Sequence, residues 1–230
     1  AFHTRGVVGA LLGLLFAQQV ATAQTQLINP NGDGGFELGT SFTSNGWSAV
    51  FGTNLSWNTG NVPGWFTGAR GAYISNDAGT SWAYTTTTAN RASIYKDVTF
   101  PAGLAAATLT FDFRANGNDG DWDNLLVYLV DTAVVPSAAG PTTTNTTTTG
   151  WTGYTNGTTG YYLLQRNGTT NPTTTTSVSY NFTAAQLAYA SGSTKRLVFV
   201  WKNDAADGVN PPASIDNVAL NVFSCSAPTA

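Results

Sequence analysis

The sequence predicts an all-β protein, a two-sheet sandwich of the jelly-roll or immunoglobulin-like kind with an extension strand at its N-terminus. Hydrophobic residues make up 42% of the 230-residue chain, which is enough to form a core. Charged residues make up only 9%, against about 25% in an average soluble domain. Thr, Asn, Ser and Gly take their place, and this mixture favours strands and turns over long helices. From residue 24 onward, short alternating apolar runs are separated by turn residues, which indicates a sandwich.

The net charge and the number of cysteines limit the classes of protein to which this chain can belong. Nine Lys and Arg against twelve Asp and Glu give a net charge of −3. No basic surface is available to neutralise phosphates, so nucleic-acid binding is excluded. Cys225 is the single cysteine, so no disulfide forms within the chain. We therefore expect an extracellular or cell-surface protein.

The N-terminal extension, residues 1–23, has the pattern of a secretory signal peptide. Arg5 precedes an apolar run at 7–17, and 21–23 reads as a small-x-small cleavage site. The run is too short and too rich in Gly for a stable membrane span of about 20 residues. If the extension is retained, its apolar side chains must be buried in a groove, because exposing them to water is unfavourable.

Alternation within the extension favours a strand that belongs either to its own sandwich or to a neighbouring subunit. A helix that packs through Gly9 and Gly13 is the competing interpretation. We favour a donated strand, whose apolar residues would be Val7, Val8, Ala10, Leu12, Leu14 and Phe16.

Residues 24–230 are predicted to form one sandwich domain. Candidate strands lie at 47–51, 72–75, 81–84, 92–100, 106–114, 125–131, 161–165, 177–182, 196–202 and 214–223, and a short helix at 183–190. The residues expected to point into the core are Phe111, Phe113, Leu126, Tyr128, Val198, Val200 and Val218.

Three stretches resemble known families. Residues 27–37 (LINPNGDGGFE), followed by Gly46-Trp47, resemble the opening of carbohydrate-binding jelly-roll modules, and residues 213–220 (ASIDNVAL) are similar to their last strand. Residues 122–125 together with 195–199 resemble β-sandwich domains in surface proteins of gliding bacteria. The resemblance implies an extracellular jelly roll.

It also implies a structural calcium ion, which in such modules is shared by a glutamate of the opening motif and an aspartate of the closing motif. Here these correspond to Glu37 and Asp216, with Asp33 as a further candidate ligand. Ca²⁺ takes six to eight oxygen ligands, so carboxylates suit it. The alternative is that the carboxylates accept backbone N–H groups at strand ends.

Asn-x-Ser/Thr triplets mark candidate glycosylation sites in the Thr- and Asn-rich parts of the chain. The candidate asparagines are Asn54, Asn145, Asn156, Asn167 and Asn181.

No motif indicates an active site. His3, the single histidine, lies in the extension, so Ser-His-Asp and Cys-His arrangements are hard to build and we expect no enzyme. The first hypothesis is a subunit of an extracellular bacterial filament, a pilus-like helical homopolymer that resembles donor-strand pili.

The alternative is a secreted carbohydrate-binding or adhesive module that recognises glycans. Exposed aromatic rings stack on sugars. The candidate platforms are Trp57, Trp65, Trp82 and Trp151, unless these rings simply fill the core.

Overall fold

A computed structural model gives the fold, and it describes residues 22–116, 122–138, 149–167 and 174–225. One α-helix and eleven strands are found within these ranges. The strands are β1 Thr22–Ile28, β2 Ser48–Val50, β3 Ser56–Gly60, β4 Gly71–Ser75, β5 Asn90–Thr99, β6 Leu104–Arg114, β7 Asn124–Asp131, β8 Gly160–Asn167, β9 Thr176–Asn181, β10 Thr194–Asn203 and β11 Ser214–Cys225; the helix is α1 Ala184–Ala190.

The strands form two antiparallel sheets. Sheet A has the order β3-β4-β11-β6-β9, with β1 also paired to β11, and sheet B has the order β2-β5-β10-β7-β8. From β4 to β7, and again from β8 to β11, each connection crosses from one sheet to the other, in the manner of a jelly roll. The predicted two-sheet β-sandwich is confirmed.

The main core lies between the inner faces of the two sheets. Phe111 of β6 meets Phe199 of β10 edge-to-face, with ring centroids 5.2 Å apart, and Trp47 packs on the same phenylalanine. All three side chains are at most 2% exposed. Edge-to-face contacts of this kind add to the free energy of burying the rings.

A second apolar cluster covers the outer face of sheet B. Leu126, Tyr128, Val198 and Val200 belong to it and are packed beneath Trp151. All seven predicted core residues are buried, but these four point away from the main core. Strands β7 and β10 are apolar at odd and even positions alike, so alternation does not choose between their faces.

Three segments differ from the sequence prediction. The predicted strand at 81–84 is wrong: it holds bends, and Tyr84 bonds through its backbone to the side chain of Asn210. Strands β1 and β3 were not predicted, because polar residues outnumber apolar ones in both. The predicted helix is present as α1, and it begins with a capping box between Thr183 and Gln186.

Residues 1–21 lie outside the described residues, so the predicted donor strand and its alternatives stay predictions. Within the ranges that the structure describes, no helix is long and apolar enough to cross a membrane.

Candidate functional site

Phe51 is an exposed aromatic side chain at one edge of the sandwich. It follows β2, the edge strand of sheet B, and precedes β3, the edge strand of sheet A. Its side chain is 54% exposed. Single exposed apolar side chains are common, but a phenyl ring that lines a surface groove is a candidate contact for a ligand.

Two open grooves share Phe51. Groove 1 has a volume of about 410 Å³ and is lined by residues 40–43, Ala49, Phe51 and residues 57–59. Groove 2 has about 400 Å³ and is lined by residues 51–52, 54–56 and 75–78. Both volumes lie within the range typical of small-ligand sites, about 300–1,000 Å³.

The two grooves also meet at strand β3. Asn58 lines groove 1 and Ser56 lines groove 2. The side-chain amide of Asn58 donates to the hydroxyl of Ser56 at 3.0 Å, so the polar groups of the two grooves are joined by a hydrogen bond. Phe51 and this pair therefore connect the two grooves into one surface.

The lining of both grooves is polar and almost uncharged. Hydroxyl and amide side chains predominate, and the lining residues include no Lys or Arg. Asp77 is the one ionisable group, and hydrogen bonds from Ser75 and Ser81 lower its pKa to about 2. Groove 2 therefore keeps one negative charge at neutral pH.

The four tryptophans predicted as stacking platforms fall into two groups. Trp57 and Trp151 are buried, at 1% and 4% exposure, so for them core packing was the right interpretation. Trp65 and Trp82 are partly exposed, but the indole N–H of Trp65 donates to Ser214 and that of Trp82 to the carbonyl of Pro212. Both indoles thus serve to fix loops against the sandwich.

Glu37 and Asp216 both contact one loop, residues 65–70, and both accept its backbone N–H groups, which is the alternative to calcium binding that the sequence left open. Glu37 Oε1 accepts the backbone N–H groups of Ala69 and Arg70 at 2.8 and 2.9 Å. Asp216 Oδ2 accepts the N–H of Thr67 at 2.8 Å. The opening and closing motifs also touch through their backbones, since Val218 N–H donates to Gly34.

A third carboxylate, Asp112, lies opposite Asp216 across the β6–β11 pairing. Asp112 accepts hydrogen bonds from Ser177 and from the side chain of Asn217. The three carboxylates are thus held by uncharged donors, and in the described part of the chain none of them forms a salt bridge. This leaves excess negative charge around the loop.

Burial of Asp216 has an electrostatic consequence. Its side chain is fully buried. Desolvation, with a smaller contribution from the nearby carboxylates of Asp112 and Glu37, raises its pKa to about 7, while the N–H groups of Asn217 and Thr67 act in the opposite direction. Either a proton or a cation would relieve the charge.

Asp33 is engaged differently from the other two candidate ligands. Its carboxylate accepts the N–H of Asn29 and forms a salt bridge of 3.1 Å with Lys96. Among the described residues, no group of three or more His, Cys, Asp or Glu side chains is arranged to hold a metal ion. The oxygens of Glu37 and Asp216 already accept backbone N–H groups, and calcium binding stays a prediction.

Four of the five candidate glycosylation sites are described, and all four asparagines are exposed: Asn54, Asn156, Asn167 and Asn181. Asn54 also lines groove 2. Asn145 lies outside the described residues. Glycosylation at these positions stays a prediction.

Comparison with known proteins gives a likeness of fold. No family model matches the chain, and no curated protein matches it. One similar solved structure is the CBM22-1 xylan-binding domain of Paenibacillus barcinonensis Xyn10C, with a TM-score of 0.48 and 12% identity over 90% of this chain and 99% of that one. A second is the cyclase Fisc of Fischerella sp. TAU, with a TM-score of 0.50 and 13% identity over 89% of this chain and 100% of that one. A third is TmCBM61 in complex with beta-1,4-galactotriose, with a TM-score of 0.42 and 13% identity over 84% of this chain and 97% of that one.

The strand order of the two sheets defines the class of the protein, a jelly-roll-like β-sandwich. Solved structures of similar fold include carbohydrate-binding modules and cyclases. Identities of 12–13% carry no ligand and no activity across to this chain.

Proposed function

We propose that this protein is a carbohydrate-binding β-sandwich module and that Phe51 is the platform on which a sugar ring stacks. The observation that carries the proposal is the exposed phenyl ring shared by two neutral, hydroxyl- and amide-lined grooves. A sugar ring has an apolar face of C–H groups and a rim of hydroxyls. An aromatic ring satisfies the face, while amides and hydroxyls satisfy the rim.

The magnitude follows from the exposure of Phe51. Its side chain is 54% exposed, so a ligand that covers it gains about half of the ~1.5–3 kcal/mol for burying a whole Phe side chain. A specific ring contact adds about 0.5–1.5 kcal/mol. The sum of about 1.5–3 kcal/mol corresponds to a change in Kd of about ten- to a hundredfold.

The test is binding of the purified protein to neutral polysaccharides such as xylan, galactan, glucan and mannan, measured by affinity electrophoresis and then by calorimetry. Phe51→Ala should weaken binding by about ten- to a hundredfold, with little loss of thermal stability because the ring contributes little to the core. Phe223→Ala is the matched control, since Phe223 is also exposed, at 40%, and lines neither groove.

Equal loss in both variants, or binding that Phe51→Ala leaves unchanged, would contradict the assignment of the platform. Absence of binding to every neutral glycan in the panel would contradict the proposed function itself.

Calcium at Glu37 and Asp216 would support the module structurally. In favour of this proposal are three carboxylates that receive only uncharged donors and the buried position of Asp216. A bound Ca²⁺ would neutralise their charge and fix the loop at 65–70 against β11. The filament hypothesis depends on residues outside the described ranges and is tested separately below.

A further inference from the structure

The arrangement of the two grooves also specifies the form of the ligand. Building on the proposed carbohydrate binding, we infer that the ligand is an internal stretch of a neutral, linear polysaccharide that occupies both grooves at once. One unit of the chain lies on Phe51, and the flanking units extend into groove 1 and groove 2.

The first argument is the continuity of the grooves. They share Phe51, and the Asn58–Ser56 hydrogen bond of 3.0 Å joins their polar linings along β3. A monosaccharide on Phe51 would leave most of two open cavities of about 410 and 400 Å³ filled with water. A chain that passes over the ring fills both, because each additional unit exchanges groove water for protein contacts.

The second argument is charge. The two linings contain hydroxyls and amides and include no Lys or Arg, so nothing in either groove compensates an acidic sugar. Asp77 lines groove 2, and hydrogen bonds from Ser75 and Ser81 stabilise its carboxylate. A carboxylated or sulfated chain in groove 2 would face this like charge at an unfavourable free energy.

The third argument is the local shape of the chain. Groove 1 has an apolar floor, where Phe42 and Trp57 are buried, and a rim of hydroxyls from Thr40, Ser41 and Thr43. The lining of groove 2 similarly combines the buried Leu55 with the polar side chain of Asn76. Each groove thus repeats the pattern of an apolar base with a polar rim that suits one or more sugar rings.

The experiment is a length series from the monosaccharide to the hexasaccharide, prepared from xylose, glucose and galactose polymers, with Kd measured by calorimetry. Affinity should rise by at least about tenfold from the disaccharide to the longer oligosaccharides and then level off. A tenfold change corresponds to one or two added hydrogen bonds. Equal affinity for monosaccharide and hexasaccharide would overturn the inference while leaving the proposed function intact.

Two groove variants test the occupancy directly. Thr43→Ala changes only groove 1 and Asn76→Ala only groove 2. Both should weaken the hexasaccharide by about two- to tenfold, and their effects should add in the double variant because the sites are separate. If only one variant affects even the longest ligand, a single groove is used and the inference is wrong.

Polygalacturonate and a sulfated polymer test the charge argument. They should bind at least about tenfold more weakly than the best neutral chain, and Asp77→Asn should reduce the difference. Acidic chains that bind as well as neutral ones would overturn the specificity for neutral ligands. If no chain of either kind binds, the proposed function fails, and this outcome is distinct from a length-independent affinity.

Discussion

Asp216 should make the stability of the metal-free protein fall as pH rises from about 4 to about 7. The pKa of this buried carboxyl is about 7, against 3.8 for an ordinary aspartate. The folded state therefore binds the proton more tightly than the unfolded state. The contribution of Asp216 to the free energy of unfolding is fully present below pH 3.8 and is lost as the pH rises toward 7. Above about pH 7 this contribution does not change further.

The magnitude follows from the same two values. At about 1.4 kcal/mol per pH unit, the interval from 3.8 to about 7 corresponds to about 4 kcal/mol of unfolding free energy. The side chain of Asp216 is buried, so water screens its charge only weakly. A loss of this size is a large part of the total stability of a typical domain, about 5–15 kcal/mol.

The perturbation is Asp216→Asn, which removes the titration and nearly preserves the shape. At pH 4 the wild-type carboxyl is protonated and neutral like the amide, so the two stabilities should lie within about 1 kcal/mol of each other. At pH 8 the wild type has lost about 4 kcal/mol, so the variant should be the more stable of the two.

The assay is urea unfolding in a chelator between pH 4 and pH 8, with the difference between variant and wild type as the readout. Asp97→Asn is the control, because Asp97 is exposed and paired with Arg196. A difference that stays constant from pH 4 to pH 8 would refute the argument, since it would mean that Asp216 titrates alike in the folded and unfolded states.

Three further predictions concern contacts of the described residues, and a fourth concerns the N-terminal extension. Calcium at about a hundred times its Kd should stabilise the wild type by about 2.7 kcal/mol at pH 8, and Glu37→Gln should abolish this gain; a melting temperature that calcium leaves unchanged refutes the site. Gly68→Ala places a Cβ 2.5 Å from Glu37 Oε1 at a φ of +84°, so it should destabilise more than Gly153→Ala, whose φ of +82° is alike but whose Cβ meets nothing. Phe199→Ala should cost about 3–5 kcal/mol in urea unfolding, and a cost below about 1 kcal/mol would contradict its position in the core. Deleting residues 1–20 should abolish fibres if the extension is donated between subunits, and electron micrographs that show persisting fibres would exclude that assembly.

The fold was predictable because most strands carry their own signal. The apolar residues of β6 alternate with polar ones, so both its position and its inward face followed from the sequence. β10 was located correctly but not oriented, because a second layer of residues such as Trp151 buries its outer face as well. Trp151 lies in a loop that is far from β10 in the sequence, so the local pattern of β10 does not predict that its outer face is buried.

The candidate site was predictable only where it coincides with a motif. The opening and closing motifs located Glu37 and Asp216, and the structure brings both to one loop. Phe51 was missed as a ligand contact because a phenylalanine after a short apolar strand is typical of a core position. The one available signal was the turn at 52–54 (Gly-Thr-Asn) directly after it, which places Phe51 at a chain reversal near the surface.

The positions of β10 and β11 determine when the fold can form. Both follow all the other described strands in the chain, yet each is central in its sheet. β11 alone holds β1, β4 and β6 together, so without it sheet A separates into a β3–β4 hairpin, a β6–β9 pair and a lone strand. A chain that ends before residue 214 therefore holds only separate pieces of sheet A, and their assembly waits for pairings between distant parts of the sequence. Such non-local pairings fold slowly, so the protein spends longer as an unfolded chain that proteases can reach than a helical protein of equal length would.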